Sequence, residues 1–342
     1  MQLAKLTPSS IIVQRSRAKH YTEIYRDSLN ILCMSADELT ARAAKKQRQT
    51  AQLNIKKSSF NLSASSSRLL RDSVCNMLLM SSSRVVDIDK IKKIYNFKGA
   101  FITLTLPAKQ FHTDVEIKEA FSKFLTSLRN TLGLNNYVWR MELQKNGNLH
   151  FHLVVDKYYS YNMLRYYWNV ELKKLGYIAA YKAKFSVLDL HSYAAIRDKK
   201  PFEVLKAYQD GVASSWESPN TISVNSVTSS KQLGAYLVKY MLKPMPADAA
   251  ESEDSIQRAS IVGKLWARSQ SLSCIPPLDN FNLNDILRCI TQWGGDKALK
   301  LIKHEYCTVF YLRFTSISSL FYREWRKIFV RHATAYGYIV PT

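Results

Sequence analysis

The chain has 342 residues, 46% of them hydrophobic, and a formal net charge of +22. This length allows a substantial core in two domains, or in one domain with large extensions, and the excess of lysine and arginine indicates a polyanion as partner. The sequence contains neither a signal peptide nor a run of about 20 apolar residues, so we expect a cytoplasmic protein without a membrane span.

Residues 1–94 are predicted to be a basic leader made of helices and loops. The stretch TARAAKKQRQTAQLNIKK has no apolar face of useful width, and a serine-rich segment follows it. Two interpretations stay open for this leader: a solvated or partly disordered arm, and an arm that contacts the DNA backbone.

The pattern changes near residue 97. FKGAFITLTLP alternates β-branched and aromatic residues and predicts a strand that stops at Pro107. The next segment, VEIKEAFSKFLTSLRNTLG, has apolar residues at helical spacing and predicts a helix that ends at Gly133. NYVWRMELQ and LHFHLVVD predict two strands, which the intervening KNGN joins as a tight hairpin.

A second helix is predicted from YNMLRYYWNVELKKLG, again ending at a glycine. Residues 181–220 are expected to be less regular. TISVNSV predicts a strand, and SSKQLGAYLVKYMLK predicts a helix that stops before Pro244.

The predicted order is therefore strand, helix, strand, strand, helix, strand, helix. This order is typical of an α+β fold of the ferredoxin-like or RRM-like type, an antiparallel sheet with helices on one face. We assign residues 95–247 to this domain. An acidic linker begins at Pro246, and residues 248–342 are predicted to form a mostly helical, aromatic-rich region.

The cysteines indicate no cross-links. They are five in number and widely spaced: Cys33, Cys75, Cys274, Cys289 and Cys307. Because the count is odd and no C-x-x-C pair occurs, neither a disulfide framework nor a zinc knuckle is expected. We expect inert thiols in a reducing compartment.

The segment NGNLHFHLVVD carries the strongest chemical signal. His150 and His152 are two residues apart on a predicted strand, so both imidazoles leave the same face and can bind a divalent metal. Glu142 on the partner strand is the candidate third ligand. A turn at Asn146 and Gly147 would bring Glu142 near residues 149–151, and a shift of one residue would bring it beside His150. The sequence leaves that register open.

A second signal is the pair Tyr236 and Tyr240, one helical turn apart, with Lys239 between them. A tyrosine hydroxyl is a poor nucleophile at neutral pH, but it can attack phosphorus beside a metal-bound phosphate and a lysine. The competing interpretation is aromatic packing, since the chain contains 20 tyrosines.

Taken together, the motifs resemble those of the HUH endonucleases, and among these the two-tyrosine replication initiators of small single-stranded DNA phages. FITLTLP looks like the first motif of the family, GNLHFHLVV like the second and YLVKY like the third. IVGKLWARSQSL is similar to a segment that follows the third motif in microvirus-like initiators, so the resemblance covers residues 97–272.

The resemblance implies metal ligands, nucleophiles and partners. His150, His152 and Glu142 would hold Mg²⁺ or Mn²⁺, with imidazole ligands favouring Mn²⁺ in affinity. The two tyrosines would nick and rejoin single-stranded DNA at a replication origin through a 5′-phosphotyrosine, with Lys239 assisting. Host helicase and DNA polymerase would be the further partners. A relaxase or transposase of the same superfamily, and a non-catalytic RRM-like nucleic-acid-binding protein, are the alternatives.

Overall fold

The computed structural model describes residues 3–7, 10–14, 62–81, 84–87, 94–97, 99–144, 146–197, 200–227, 264–294, 299–303, 307–312 and 320–340. The chain forms two compact units. One comprises Met1–Ser59 and Ile275–Tyr336, and the other comprises Phe60–Cys274 and Gly337–Thr342. Across the ranges just given, none of the helices has both the length and the apolar character needed to cross a membrane.

The strands in chain order are β1 Leu3–Thr7, β2 Ser10–Gln14, β3 Arg84–Asp87, β4 Ile94–Phe97, β5 Gly99–Leu104, β6 Tyr137–Leu143, β7 Leu149–Val155, β8 Ile222–Val227, β9 Trp266–Arg268, β10 Leu278–Asn282, β11 Leu299–Lys303 and β12 Cys307–Leu312. The helices are α1 Ala64–Met80, α2 Asp114–Leu132, α3 Tyr161–Lys174, α4 Tyr177–Phe185, α5 Leu190–Ala195, α6 Pro201–Ala213, α7 Gln270–Ser273, α8 Leu283–Gln292 and α9 Leu320–Ala335.

The larger unit is built on a five-stranded sheet in the order β8-β5-β7-β6-β9. Every neighbouring pair in this sheet is antiparallel. Helix α2 connects β5 to β6, and helices α3 to α6 connect β7 to β8, so each connection steps over one strand. The predicted α+β class with an antiparallel sheet is confirmed.

Helix α2 shows how the local sequence forms this layer. Thr113 caps its first turn in a reciprocal capping box with Glu116, and Gly133 ends it in the left-handed region at φ 60°. The apolar side chains recur at helical spacing and pack with α3 on one face of the sheet. They include Ile117, Phe121, Phe124 and Leu128, all buried.

Helix α1 covers the other face of the sheet. Gly99 begins β5, where the carbonyl of Val155 leaves no room for a Cβ, and the side chain of Leu78 lies 3.1 Å from that Cβ position. On the edge strand, Arg268 donates a hydrogen bond to the Ser73 hydroxyl of α1. The expectation of helices on a single face therefore needs correction, since a helix of the predicted leader packs on the second face.

Residues 177–216 are more regular than predicted, because they contain α4, α5 and α6. These short helices share a small aromatic cluster of Phe185, Tyr193, Val204 and Trp216. Apolar side chains also lie on their outer faces, such as Phe202, which is 75% exposed. Apolar residues on both faces of short helices blur the helical periodicity, which explains the wrong prediction.

The smaller unit contains a second antiparallel sheet, in the order β10-β1-β2-β12-β11. Strands β1 and β2 come from the predicted helical and loop leader, whereas the other three come from the region predicted as mostly helical. Each of these strands has only five or six residues. Such short runs give weak strand signals, so the sequence patterns missed a sheet built from both ends of the chain.

A buried polar network lies at the end of β7. Asn136 donates to the Asp156 carboxylate and to the Ile339 carbonyl, and it accepts a hydrogen bond from Ser271. Burial is the main cause that raises the pKa of Asp156 from 3.8 to about 6, and the hydrogen bond from Asn136 opposes that rise.

This carboxyl should make the protein less stable as the pH rises. Its pKa is higher in the folded chain than in the unfolded chain, so its contribution is fully present below about pH 4 and is lost as the pH rises through the folded value. The loss should be on the order of 2–3 kcal/mol in the free energy of unfolding. Urea titrations from pH 4 to 8 should show a flatter profile for Asp156→Asn, and Asp210→Asn, at an exposed carboxyl, is the control. Identical profiles for wild type and Asp156→Asn would contradict the assignment.

Candidate metal centre

The β6–β7 hairpin sets the geometry of the centre. Gln144 and Asn148 close a loop of three residues, with the Gln144 amide donating to the Asn148 carbonyl, and Gly147 adopts φ 80° within it. A glycine at the left-handed position is typical of three-residue hairpin loops. The predicted turn centred on Asn146 and Gly147 would pair residues summing to 293, whereas the three-residue loop pairs Gln144 with Asn148.

This loop fixes the register that the sequence left open. Glu142 lies directly opposite His150, and Arg140 lies opposite His152. Opposite residues of an antiparallel pair point to the same face, so Glu142 and both histidines share one face. The shift of one residue that the sequence allowed is the arrangement found.

Phe151 points to the other face, as expected from its position between the histidines. Its ring stacks on Phe121 of α2 with the centroids 4.2 Å apart. This packing anchors the middle of β7 in the core and directs the two imidazoles away from α2 and α3.

The carboxylate lies between the imidazoles. Glu142 Oε1 is 2.7 Å from His152 Nε2 and 3.5 Å from His150 Nδ1. The two imidazole centroids are 4.5 Å apart. One ligand atom from each of the three residues lies within 4.8 Å of the others, which is the spacing of a group that can hold a metal ion.

The environment favours the protonation states that a metal requires. Burial alone would raise the pKa of Glu142, but hydrogen bonds and charge from His150 and His152 lower it to about 2. Burial is the largest cause that lowers the pKa of His152. An ionised carboxylate and a neutral imidazole are the ligand forms of these side chains.

The residues therefore suit a divalent cation. Nε2 of His150 is buried and has no hydrogen-bond partner in the part of the chain that the structure describes. Two imidazoles and one carboxylate leave coordination positions open, which suits Mn²⁺ or Mg²⁺ acting as a Lewis acid. The donor set does not distinguish between these two ions.

Two further residues on this face escaped the sequence interpretation. Arg140 is only 2% exposed, and burial lowers its pKa while the charge of Glu142 opposes that effect. Thr103 on β5 lies opposite His152, and its Oγ1 is 3.2 Å from Nδ1 of the imidazole. Arg140 is two residues before Glu142 on the same strand, a spacing that could have identified it.

The two tyrosines and the lysine lie outside the described residues. Tyr236, Lys239 and Tyr240 fall within residues 228–263, which follow β8 directly. The segment IVGKLWARSQSL is described in part: its residues Trp266–Arg268 form β9, which pairs with β6 at the edge of the sheet. This segment therefore completes the sheet beside the strand that carries Glu142.

One comparison with known proteins gives a match. Residues 99–245 match the family model of the replication-associated protein ORF2. The match supports a replication initiator of the rolling-circle type, and it implies binding to DNA. It spans all six candidate site residues, including the two tyrosines and the lysine outside the described ranges. No curated protein and no solved structure matches the chain.

Glu142→Gln should weaken metal binding while keeping the shape of the side chain. Loss of the negative charge should raise the dissociation constant for Mn²⁺ at least about 10-fold, because a carboxylate is a much stronger ligand than an amide for a divalent cation. Isothermal titration with Mn²⁺ would measure this change. Glu119→Gln, at an exposed glutamate on α2, is the control. An unchanged titration for Glu142→Gln would remove this residue from the centre.

Proposed function

We propose that the protein initiates rolling-circle replication by nicking and rejoining single-stranded DNA at an origin. The observation that carries this proposal is the cluster of Glu142, His150 and His152 within the segment that matches the replication-associated family. The family match supports the role in replication, and the cluster supports a metal-assisted reaction on phosphate.

The topology supports an HUH nuclease fold. In the order β8-β5-β7-β6, the helical connections step over one strand each, as in ferredoxin-like and RRM-like sheets. The centre lies on the sheet face opposite α2 and α3. On that face, neutral His150 and His152 and ionised Glu142 would hold Mg²⁺ or Mn²⁺.

The chain's own residues would bind and orient the DNA strand. The net charge of +22 favours contact with the phosphate backbone, because binding releases condensed counterions. A divalent ion held at the centre supplies Lewis-acid polarisation of a phosphate oxygen. Buried Arg140, on the same face, adds positive charge to the surroundings of the centre.

Tyr236 or Tyr240 would act as the nucleophile. The tyrosine oxygen forms a bond to phosphorus as its hydroxyl proton leaves, and the bond from phosphorus to the 3′ oxygen breaks. The products are a 5′-phosphotyrosine and a 3′ hydroxyl, so the ester retains the free energy needed for rejoining. Lys239 would stabilise negative charge on the phosphate or lower the pKa of a tyrosine.

Two tyrosines would permit a second cleavage while the first tyrosine still holds DNA. Host polymerase would extend the 3′ hydroxyl, and a host helicase would unwind the duplex, because the sequence has no G-x-x-x-x-G-K-[ST] motif. The free 3′ hydroxyl would then attack the remaining phosphotyrosine and close a circle. These steps would take place in the cytoplasm.

The alternatives make different demands on the chain. A relaxase or transposase of the same superfamily would use the same centre and differ in its DNA substrate. A non-catalytic RRM-like binding protein would have no use for a carboxylate between two converging imidazoles. The replication-associated family match favours the initiator over both.

Covalent capture tests the proposal. The full-length protein is incubated with a 5′-labelled and a 3′-labelled single-stranded oligonucleotide pool, with Mn²⁺ and with chelator. We expect a denaturation-resistant adduct to the 3′ fragment that requires the metal, and a free 3′ hydroxyl on the other fragment. Binding without cleavage over a range of origin-like hairpins and metal concentrations would favour the non-catalytic alternative.

A further inference from the structure

We propose that Thr103 is a positioning residue for His152 and that its hydroxyl serves both tautomers of this imidazole. The inference deepens the proposed function, since it rests on the metal centre of Glu142, His150 and His152. It assigns a role to a residue on β5, a strand that supplies none of the three candidate ligands.

The contact between the two residues is fixed by the sheet. Thr103 and His152 lie opposite each other in the β5–β7 ladder, so their side chains leave the same face. Thr103 Oγ1 is 3.2 Å from His152 Nδ1. Backbone pairing therefore holds the hydroxyl at the nitrogen that points away from Glu142.

Two other neighbours hold the same ring. Phe101, two residues before Thr103, stacks on the imidazole with the centroids 5.4 Å apart. Glu142 lies at the opposite nitrogen, 2.7 Å from Nε2. His152 is fully buried at 0% exposure, so solvent cannot replace any of these contacts.

His150 is held less firmly. Its Nδ1 lies 3.5 Å from the carboxylate, and its Nε2 has no hydrogen-bond partner among the residues with described positions. His152 is therefore the pre-oriented ligand of the centre, and His150 can adjust its ring to an incoming ion. Outer partners that orient a metal-binding imidazole act in this way in metal sites generally.

The hydroxyl suits both states of the imidazole. Without a metal, Nε2–H donates to the Glu142 carboxylate, which only accepts, so Nδ1 accepts a hydrogen bond from Thr103. With a metal, the Nε2 lone pair is used for ligation and Nδ1–H donates to Thr103 Oγ1. The ring loses one proton at Nε2 and gains one at Nδ1, so its charge is unchanged. A hydroxyl can both donate and accept, whereas a carbonyl could serve only the second state.

Metal affinity of full-length variants tests the role. Thr103→Val keeps the shape of the side chain but removes the hydroxyl, and it should weaken Mn²⁺ binding about 10-fold to 100-fold. Thr103→Ser should restore wild-type affinity, because it retains the hydroxyl. Thr105→Val is the matched control, since its hydroxyl on the same stretch of chain bonds to the Thr221 carbonyl. Binding by Thr103→Val equal to that of wild type, or by Thr103→Ser as weak as that of Thr103→Val, would overturn the proposal.

Nitrogen-15 NMR of the wild-type histidines tests the tautomers without any substitution. His152 should carry its proton on Nε2 in chelated protein and on Nδ1 after addition of Mg²⁺. The same tautomer in both samples would refute the dual role even if a variant failed to fold. Wild-type protein that binds no Mn²⁺ would instead contradict the metal centre, and with it the mechanism proposed above.

Discussion

His150→Ala and His152→Ala should each abolish metal-dependent cleavage of single-stranded DNA. Either change removes one of three ligands, so Lewis-acid stabilisation worth several kcal/mol is lost and the cleavage rate should fall about 10³-fold or more. DNA binding should persist, since backbone charge supplies most of the affinity. Quenched-flow cleavage of a labelled oligonucleotide and filter binding of the same oligonucleotide would measure the two effects.

The controls separate chemistry from folding. His191→Ala removes an exposed histidine on α5, away from the β6–β7 hairpin, and should cleave as wild type does. His152 is fully buried, so its alanine variant also creates a cavity, whereas the His150 side chain is 13% exposed and its variant should be better tolerated. If both variants nick at the wild-type rate in the presence of chelator, the metal centre is not used for cleavage.

The second large effect concerns the two tyrosines. Tyr236→Phe and Tyr240→Phe should each retain some cleavage and form an adduct through the remaining tyrosine, because either hydroxyl of a pair one helical turn apart can reach the phosphate. The double variant should form no adduct. Each single variant should fail at sustained replication, since termination requires a free nucleophile while the other is esterified.

Peptide mapping of the adduct identifies the nucleophile. Phenylalanine preserves ring packing, so a cavity cannot explain lost activity. Tyr166→Phe, at a tyrosine 65% exposed on α3, is the control and should leave the adduct unchanged. An adduct on a residue other than Tyr236 or Tyr240 would contradict the assignment. A single adduct, with the other tyrosine dispensable for circularisation, would keep the nuclease and remove the two-tyrosine mechanism.

Local patterns determined much of the larger unit. Helix α2 follows from its apolar spacing, its capping residues and Gly133, and the structure begins and ends it within one residue of the predicted segment. The alternation of LHFHLVV directs His150 and His152 to one face and Phe151 to the other, and strands β5 to β8 lie within the predicted stretches. These features depend on contacts within a few residues, which a single sequence contains.

The tertiary structure decided how these elements meet. The three-residue loop before Asn148 placed Glu142 opposite His150, and only a ladder between distant segments brings Thr103 to His152. Helix α1 on the second sheet face and the pairing of β2 with β12 likewise join segments far apart in the chain. Pairing register and long-range partners are chosen by the burial of whole faces, and no local pattern encodes that choice.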